Sequence, residues 1–398
     1  MILRSAAAMV VVVGAGAAAA GCATRSVTEV SRPVRSAPAI GVVGAPAPAG
    51  SATLTAVACG SPERCWAVGD PPAGQLTSPA APSTAVIDAT SDGGSSWTLE
   101  HLAVSGPTSL SAISCPGPTS CMAVGSVDSG TTTIGAVLVT TNAGSTWPPV
   151  GPPAGSADVP AVACSSANQC LVLASDGPAA WSASTTDGGQ VWQRGGNLPT
   201  GFVSSGSLSC SGATECVAVG YTATAAGQGA GAVATTDDGG ASWVSGNLPA
   251  GVGLLHGVTC TASMACTAVG TASTATADVV QSDGQVLTSA DGGRTWSLLP
   301  SLTGLEDPFS VACTTSGACV AVGIEWTRSS PPAPVGGAVI ATAAGGPWSV
   351  PPIRYLPSQL TSVVCEAAAS CVAVGHDVVA RAVLFSPSLR PAAHAKRH

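Results

Sequence analysis

A pair of cysteines separated by five residues recurs seven times along the 398-residue chain. After the second cysteine, six copies continue as x-A-V-G, whereas the third copy reads CLVLA. A unit that recurs at intervals of 46 to 56 residues predicts a repeat architecture, in which each copy is one supersecondary unit that packs on its neighbours. The pairs are Cys59/Cys65, Cys115/Cys121, Cys164/Cys170, Cys210/Cys216, Cys260/Cys266, Cys313/Cys319 and Cys365/Cys371.

A second motif, S/T-x-D-G-G-x-x-W, alternates with the cysteine pairs. It occupies residues 90–97, 140–147, 185–192, 236–243 and 289–296, with a shorter form at 342–348. Four short apolar runs per repeat are separated by turn residues and show no helical periodicity, which predicts strands. Strand A ends at the first cysteine, strand B starts at the second, strand C precedes the second motif, and strand D starts near its tryptophan.

The second motif resembles the Asp-box, also called the BNR repeat. This motif is typical of propellers such as bacterial sialidases and photosystem II assembly factor-like proteins. Together with four strands per repeat, the resemblance implies an all-β fold over residues 38–390. The expected form is a seven-bladed β-propeller of four-stranded antiparallel blades. The seventh copy lacks a strand D, so we expect residues 40–45 to close the ring as an N-terminal strand in the last blade.

The cysteine pairs admit several interpretations. Zinc sites need four converging ligands at shorter spacing, and a redox pair would read C-x-x-C. Disulfides that close the hairpin between strands A and B fit the spacing and the even count, provided that the protein is exported. Separate reduced thiols are the alternative for a cytosolic protein.

The chain begins with Arg4, an apolar run and the sequence AAGC at 19–22. This order is typical of a lipoprotein signal peptide over residues 1–21, with Cys22 as the lipidated residue. Residues 22–37 are expected to form a flexible tether, and residues 391–398 a solvated basic tail. We therefore expect an exported protein, anchored through its lipid to the outer side of the cytoplasmic membrane.

The aspartates of the second motif are expected to accept hydrogen bonds from backbone N–H groups of the turn between strands C and D. Copy two has Asn142 and copy six has Ala344 where a ring of catalytic or metal-binding carboxylates would need aspartate. We therefore predict a structural role for this motif and neither a metal nor a cofactor. The formal net charge of −8 and the lack of a basic patch argue against nucleic acid as a partner.

In a propeller of this topology, the A–B and C–D turns share one face, and the irregular B–C and D–A loops share the other. The irregular loops of the last three repeats hold an aromatic residue beside arginines and carboxylates, which suits a glycan or protein ligand. The alternative is a set of unrelated solvated side chains. The candidate residues are Glu306, Asp307, Glu325, Trp326, Arg328, Arg354, Tyr355 and His376.

Function remains divided between three classes at the level of the sequence. We predict a non-catalytic cell-surface binding or scaffold lipoprotein, with no catalytic residues. One alternative is a glycoside hydrolase of sialidase type, although the chain has only two tyrosines, Tyr221 and Tyr355, and thinly spread arginines. The other is an accessory or assembly factor for a membrane complex, which the resemblance to photosystem II assembly factor-like proteins implies.

Overall fold

A computed structural model describes most of the repeat region. The described residues are 39–48, 53–70, 85–100, 102, 108–128, 131–177, 179–224, 227–272, 284–300, 305–326, 334–342, 347–348, 359–367, 370–376 and 378–385. The predicted signal peptide, Cys22, the tether and the basic tail lie outside these residues and stay predictions. Within the described residues, no helix is long and apolar enough to cross a membrane.

The regular elements of the described chain are strands. The first fourteen are β1 (Ala39–Pro46), β2 (Thr53–Cys59), β3 (Cys65–Asp70), β4 (Val86–Thr90), β5 (Thr98–Glu100), β6 (Thr108–Gly117), β7 (Ser120–Asp128), β8 (Thr133–Thr140), β9 (Pro149–Val150), β10 (Asp158–Cys164), β11 (Cys170–Ser175), β12 (Ala180–Thr185), β13 (Gln193–Asn197) and β14 (Phe202–Cys210). The others are β15 (Cys216–Thr224), β16 (Gly227–Thr236), β17 (Val244–Ser245), β18 (Val252–Cys260), β19 (Cys266–Ala272), β20 (Gly284–Ser289), β21 (Ser297–Leu298), β22 (Asp307–Cys313), β23 (Cys319–Trp326), β24 (Pro334–Thr342), β25 (Leu360–Ala367), β26 (Ser370–Gly375) and β27 (Val378–Phe385).

These strands pair into antiparallel sheets in chain order, each corresponding to one cysteine pair. Sheets 1 to 5 are β2–β5, β6–β9, β10–β13, β14–β17 and β18–β21; sheet 6 is β22–β24; sheet 7 has the order β1-β27-β26-β25. The prediction of an all-β propeller with four-stranded antiparallel blades is confirmed.

Six four-stranded blades are described where seven were predicted, because sheet 6 has three strands within the described residues. The sequence also departs from the repeat there. The motif of copy six lacks the aspartate, and it is followed by Pro351 and Pro352, which have no N–H to donate to a strand ladder.

The core lies between neighbouring sheets. Strand B is buried on both sides, as in β3, where Cys65 through Gly69 are all buried. This explains why the strand reads as a continuous apolar run and not as an alternating one. Between sheets 1 and 2, for example, Trp66 and Val68 pack with Leu110 and Ala123 in one cluster.

The innermost strands contact one another in a closed cycle: β2, β6, β10, β14, β18, β22, β25 and back to β2. Hydroxyl groups link them across the sheets. Ser207 Oγ accepts a bond from the Val258 N–H at 2.9 Å, and Ser310 Oγ accepts one from the Val363 N–H at 3.2 Å. These bonds give otherwise unpaired backbone groups of the inner edge a partner.

The glycine of x-A-V-G marks a close approach between strands A and B. A Cβ on Gly125 would collide with the Ser109 carbonyl oxygen and lie 2.9 Å from Leu110 Cα, at the point where the β6–β7 register shifts. The same collision with strand A recurs at Gly69, Gly220, Gly270, Gly323 and Gly375. In sheet 3, where Ala174 replaces the glycine, the pairing passes from Ala161↔Leu173 to Asp158↔Ser175 and leaves Ala174 without an opposite residue in β10.

Gly125→Ala should therefore lower the free energy of unfolding by about 1–3 kcal/mol, since the added methyl group meets backbone atoms that cannot rotate away. Urea denaturation measures the change. The matched control is Ala174→Gly, which should cost about 0.5–1 kcal/mol through backbone entropy alone. Equal costs at the two positions would contradict the steric explanation.

Candidate functional site

The seven cysteine pairs are all disulfides, with Cα–Cα distances of 3.9 to 4.1 Å. The prediction of disulfide-closed A–B hairpins is confirmed. Each second cysteine is buried, with an exposed fraction of 6% or less. The bonds therefore fix the start of strand B within the core.

The turn between strands C and D is closed by the residues of the second motif. In copy one, Asp92 Oδ1 accepts bonds from the backbone N–H groups of Ser95 and Ser96, both at 2.9 Å. Thr90 Oγ1 donates to the same oxygen at 2.8 Å and accepts a bond from the Gly94 N–H at 3.0 Å. Hydrogen bonds from the Ser96 side chain and backbone lower the pKa of Asp92 to about 2, so the carboxylate stays charged as an acceptor.

An asparagine performs the same task in copy two. Asn142 Oδ1 accepts a bond from the Thr146 N–H at 3.0 Å, and its Nδ2 donates to Thr146 Oγ1 at 2.9 Å. The predicted structural role of the motif is therefore confirmed, because the turn needs an acceptor here and not a charge.

These turns lie beside the disulfide hairpins. The Gly93 N–H donates to the Glu63 carbonyl oxygen of the first hairpin at 2.9 Å, and Gly188 donates in the same way to Asn168 at 3.0 Å. We call this side, with residues 60–64 and 91–96 in sheet 1, the disulfide face. The opposite side, where strand A begins and strand B ends, is the loop face.

Three of the predicted candidates meet on the loop face at sheet 6. The backbone N–H of Trp326 donates to Glu306 Oε2 at 3.2 Å, and its indole Nε1–H donates to Asp307 Oδ2 at 2.7 Å. Trp326 ends strand B and Asp307 begins strand A, so antiparallel pairing places them side by side. Glu306 is 8% exposed, whereas Trp326 is half-buried. The two carboxylates thus hold a partly exposed indole ring in one orientation.

Glu325 precedes this tryptophan and is also half-buried. Burial, and secondarily the nearby charge of Glu306, raise the pKa of the Glu325 carboxyl above its usual value. The site therefore disfavours further negative charge.

The other candidates are not brought into this cluster by the described contacts. His376 Nε2 lies 3.1 Å from Gln359 Nε2, and its backbone forms an isolated bridge with Thr53 of sheet 1. Arg328, Arg354 and Tyr355 lie outside the described residues. Within the described chain, no group of three His, Cys, Asp or Glu side chains is arranged to hold a metal ion.

A cavity of about 540 Å³ opens among the inner strands, lined by residues such as Thr55, Ser111, His256, Phe309 and Thr361. A second cavity of about 590 Å³ extends to the disulfide end and is lined by Cys59 and Glu366 among others. The two cavities share a ring of seven apolar side chains, one per sheet, six of them buried and Leu208 half-buried. The ring consists of Val57, Ile113, Val162, Leu208, Val258, Val311 and Val363.

The first cavity is therefore a cup with an apolar floor. Its wall beside sheet 6 is aromatic, since the rings of His256 and Phe309 meet edge to face with centroids 5.7 Å apart. Burial lowers the pKa of His256, against the opposing charge of Asp307. The influence of Asp307 on His256 places the Trp326 cluster and the cup in one region.

His256 and Phe309 were not predicted as site residues. Both stand four positions before the first cysteine of their repeat, where other copies have Thr55, Ser111 or Thr361. A bulky ring at a position otherwise held by small residues was the available signal.

No protein-family model matches the chain, and no curated protein matches it. Three solved structures share its fold. YCF48 bound to D1 peptide has a TM-score of 0.58 at 17% identity over 88% of this chain and 100% of its own. YCF48 from Cyanidioschyzon merolae has 0.55 at 15% over 87% and 99%. Catalytically inactive virginiamycin B lyase from Staphylococcus aureus with Quinupristin has 0.57 at 10% over 87% and 100%. At these identities the likeness shows the β-propeller fold alone.

Proposed function

We propose that this protein is a non-catalytic binding protein that holds a peptide or protein segment on its loop face. The observation that carries the proposal is the Trp326 indole, fixed by Glu306 and Asp307 and still partly exposed. An aromatic ring that is already ordered loses little conformational entropy on binding. Such rings are frequent among the residues that dominate binding energy at interfaces.

The same carboxylates argue against catalysis. Glu306 and Asp307 both accept hydrogen bonds from Trp326, so their role here is to orient a ring. A sialidase-type hydrolase would need free carboxyl groups flanking a scissile bond.

The likeness to YCF48 supports a protein segment over a glycan as the ligand. That propeller is known bound to a D1 peptide, and the two chains are similar in fold along their whole length. An accessory role for a membrane complex would be one use of such binding.

The setting of this site is part of the proposal. The seven sheets would form a closed seven-bladed propeller with Asp-box turns, in which β1 serves as the outer strand of the last blade beside β27. The protein would be exported and held through a lipid on Cys22 at the outer side of the cytoplasmic membrane. Seven disulfides support this location, since such bonds persist in oxidising compartments.

Selection of peptides from a random library on the immobilised full chain tests the proposal. Affinities of the enriched peptides are then measured by fluorescence anisotropy. Trp326→Ala should weaken binding at least 10-fold, which is about 1.4 kcal/mol. Trp326→Phe retains an aromatic ring but loses the bond to Asp307, and it should give an intermediate loss.

The matched control is Arg294→Gln on the disulfide face, which should leave the affinity unchanged. Enriched peptides that bind the Trp326 variants as tightly as the natural chain would overturn the proposed site. Turnover of a saccharide that Glu325→Gln or Asp307→Asn abolishes would replace binding by hydrolysis.

A further inference from the structure

Both ends of the propeller chain lie on the disulfide face. In sheet 7, Cys371 at the disulfide end of β26 is opposite Ala382, and Val374 is opposite Val379. Strand β27 therefore runs toward the disulfides and ends there at Phe385. Ala39, the first residue of β1, is opposite Phe385. The segments that precede β1 and follow β27 thus attach side by side.

These two flanking segments carry a charge opposite to that of the propeller. Residues 39–385 contain 6 Lys or Arg and 20 Asp or Glu, a formal charge of −14. Residues 22–38 contain three arginines and one glutamate, and residues 386–398 contain three basic residues and no acidic one. The basic residues are Arg25, Arg32, Arg35, Arg390, Lys396 and Arg397.

We propose that the disulfide face is the membrane-proximal face, where the two basic flanks bind an anionic lipid surface while the loop face points away from it. A surface that extends past both attachment points can engage the two flanks together, so the second binds at high effective concentration. Each basic residue near an anionic bilayer contributes to binding. The lipid on Cys22 belongs to the proposed function, but the charge-dependent binding does not need it.

The geometry also predicts which charges on the body oppose this binding. Strand β27 has 8 residues, so the two faces are about 25 Å apart. The Debye length at physiological salt is about 8 Å. Carboxylates of the disulfide face, such as Asp92 and Asp238, should repel the lipid surface, whereas those of the loop face are screened.

Vesicle sedimentation of the full chain with Cys22→Ser tests the binding, using phosphatidylglycerol mixed with phosphatidylcholine against phosphatidylcholine alone. We expect preference for the anionic vesicles that weakens with salt. Neutralising either flank to glutamine should lower that preference on the order of 10- to 100-fold. An unchanged preference overturns the proposal, and so does tighter binding to polyphosphate or duplex DNA. The changes are Arg25→Gln, Arg32→Gln and Arg35→Gln for one flank, and Arg390→Gln, Lys396→Gln and Arg397→Gln for the other.

A second pair of variants tests the orientation. Asp92→Asn with Asp238→Asn should strengthen anionic-vesicle binding severalfold, and Asn142 shows that asparagine maintains the turn. Asp128→Asn with Asp176→Asn, exposed on the loop face, should leave it unchanged. Equal effects, or a larger effect from the loop-face pair, would overturn the orientation. Peptide binding is measured separately, so its failure would leave this result standing.

Discussion

Reduction and alkylation of the seven disulfides is expected to unfold the propeller at room temperature. Each bond closes a hairpin with a sequence separation of 6, which contributes about 2 kcal/mol in the loop-entropy description. Seven separate hairpins then contribute on the order of 10 kcal/mol, which is comparable to the whole stability of a typical domain.

Far-ultraviolet circular dichroism and guanidinium denaturation measure this loss. Removing a single bond by Cys115→Ala with Cys121→Ala should cost about 2 kcal/mol. Cys22→Ser, which touches none of the seven bonds, should leave the unfolding midpoint unchanged. A reduced and alkylated chain that retains its full denaturation midpoint would show that the sheets do not depend on the disulfides.

Trp181→Ala should lower the free energy of unfolding by about 3–5 kcal/mol, because it leaves a large cavity in a packed interior. The side chain is fully buried and packs with Val137, Val159 and Val172 between sheets 2 and 3. Guanidinium denaturation measures the change.

The matched control is the cation above the same ring. The Arg194 guanidinium carbon lies 3.9 Å from the Trp181 ring centroid, so Arg194→Gln should cost no more than about 1 kcal/mol. A cost of Trp181→Ala no larger than that of Arg194→Gln would mean that the interface repacks around the cavity.

The repeated features of the fold were predictable because each repeat supplies independent evidence. The disulfides followed from spacing and even count, and the role of Asp92 followed from its replacement by Asn142 in copy two. The glycine of x-A-V-G was visible as a pattern, but its cause was not. Its collision with strand A appears only when the register shift beside Gly125 is known.

The candidate site was predicted in part because it depends on how loops from different strands meet. Trp326 and Asp307 lie 19 residues apart along the chain, and antiparallel pairing across one sheet brings them together. His256 and Phe309 come from two different sheets, and their meeting depends on how neighbouring sheets pack. No spacing rule within one repeat encodes that contact.

Amide hydrogen exchange of the full chain, with and without a selected peptide, tests most directly whether function lies opposite the disulfides. We predict slower exchange on binding in residues 305–310 and 323–326 of the loop face. Exchange in the hairpin 60–64 and the turn 92–96 should stay unchanged. Protection of the hairpin and the turn, with no change around Trp326, would contradict the account.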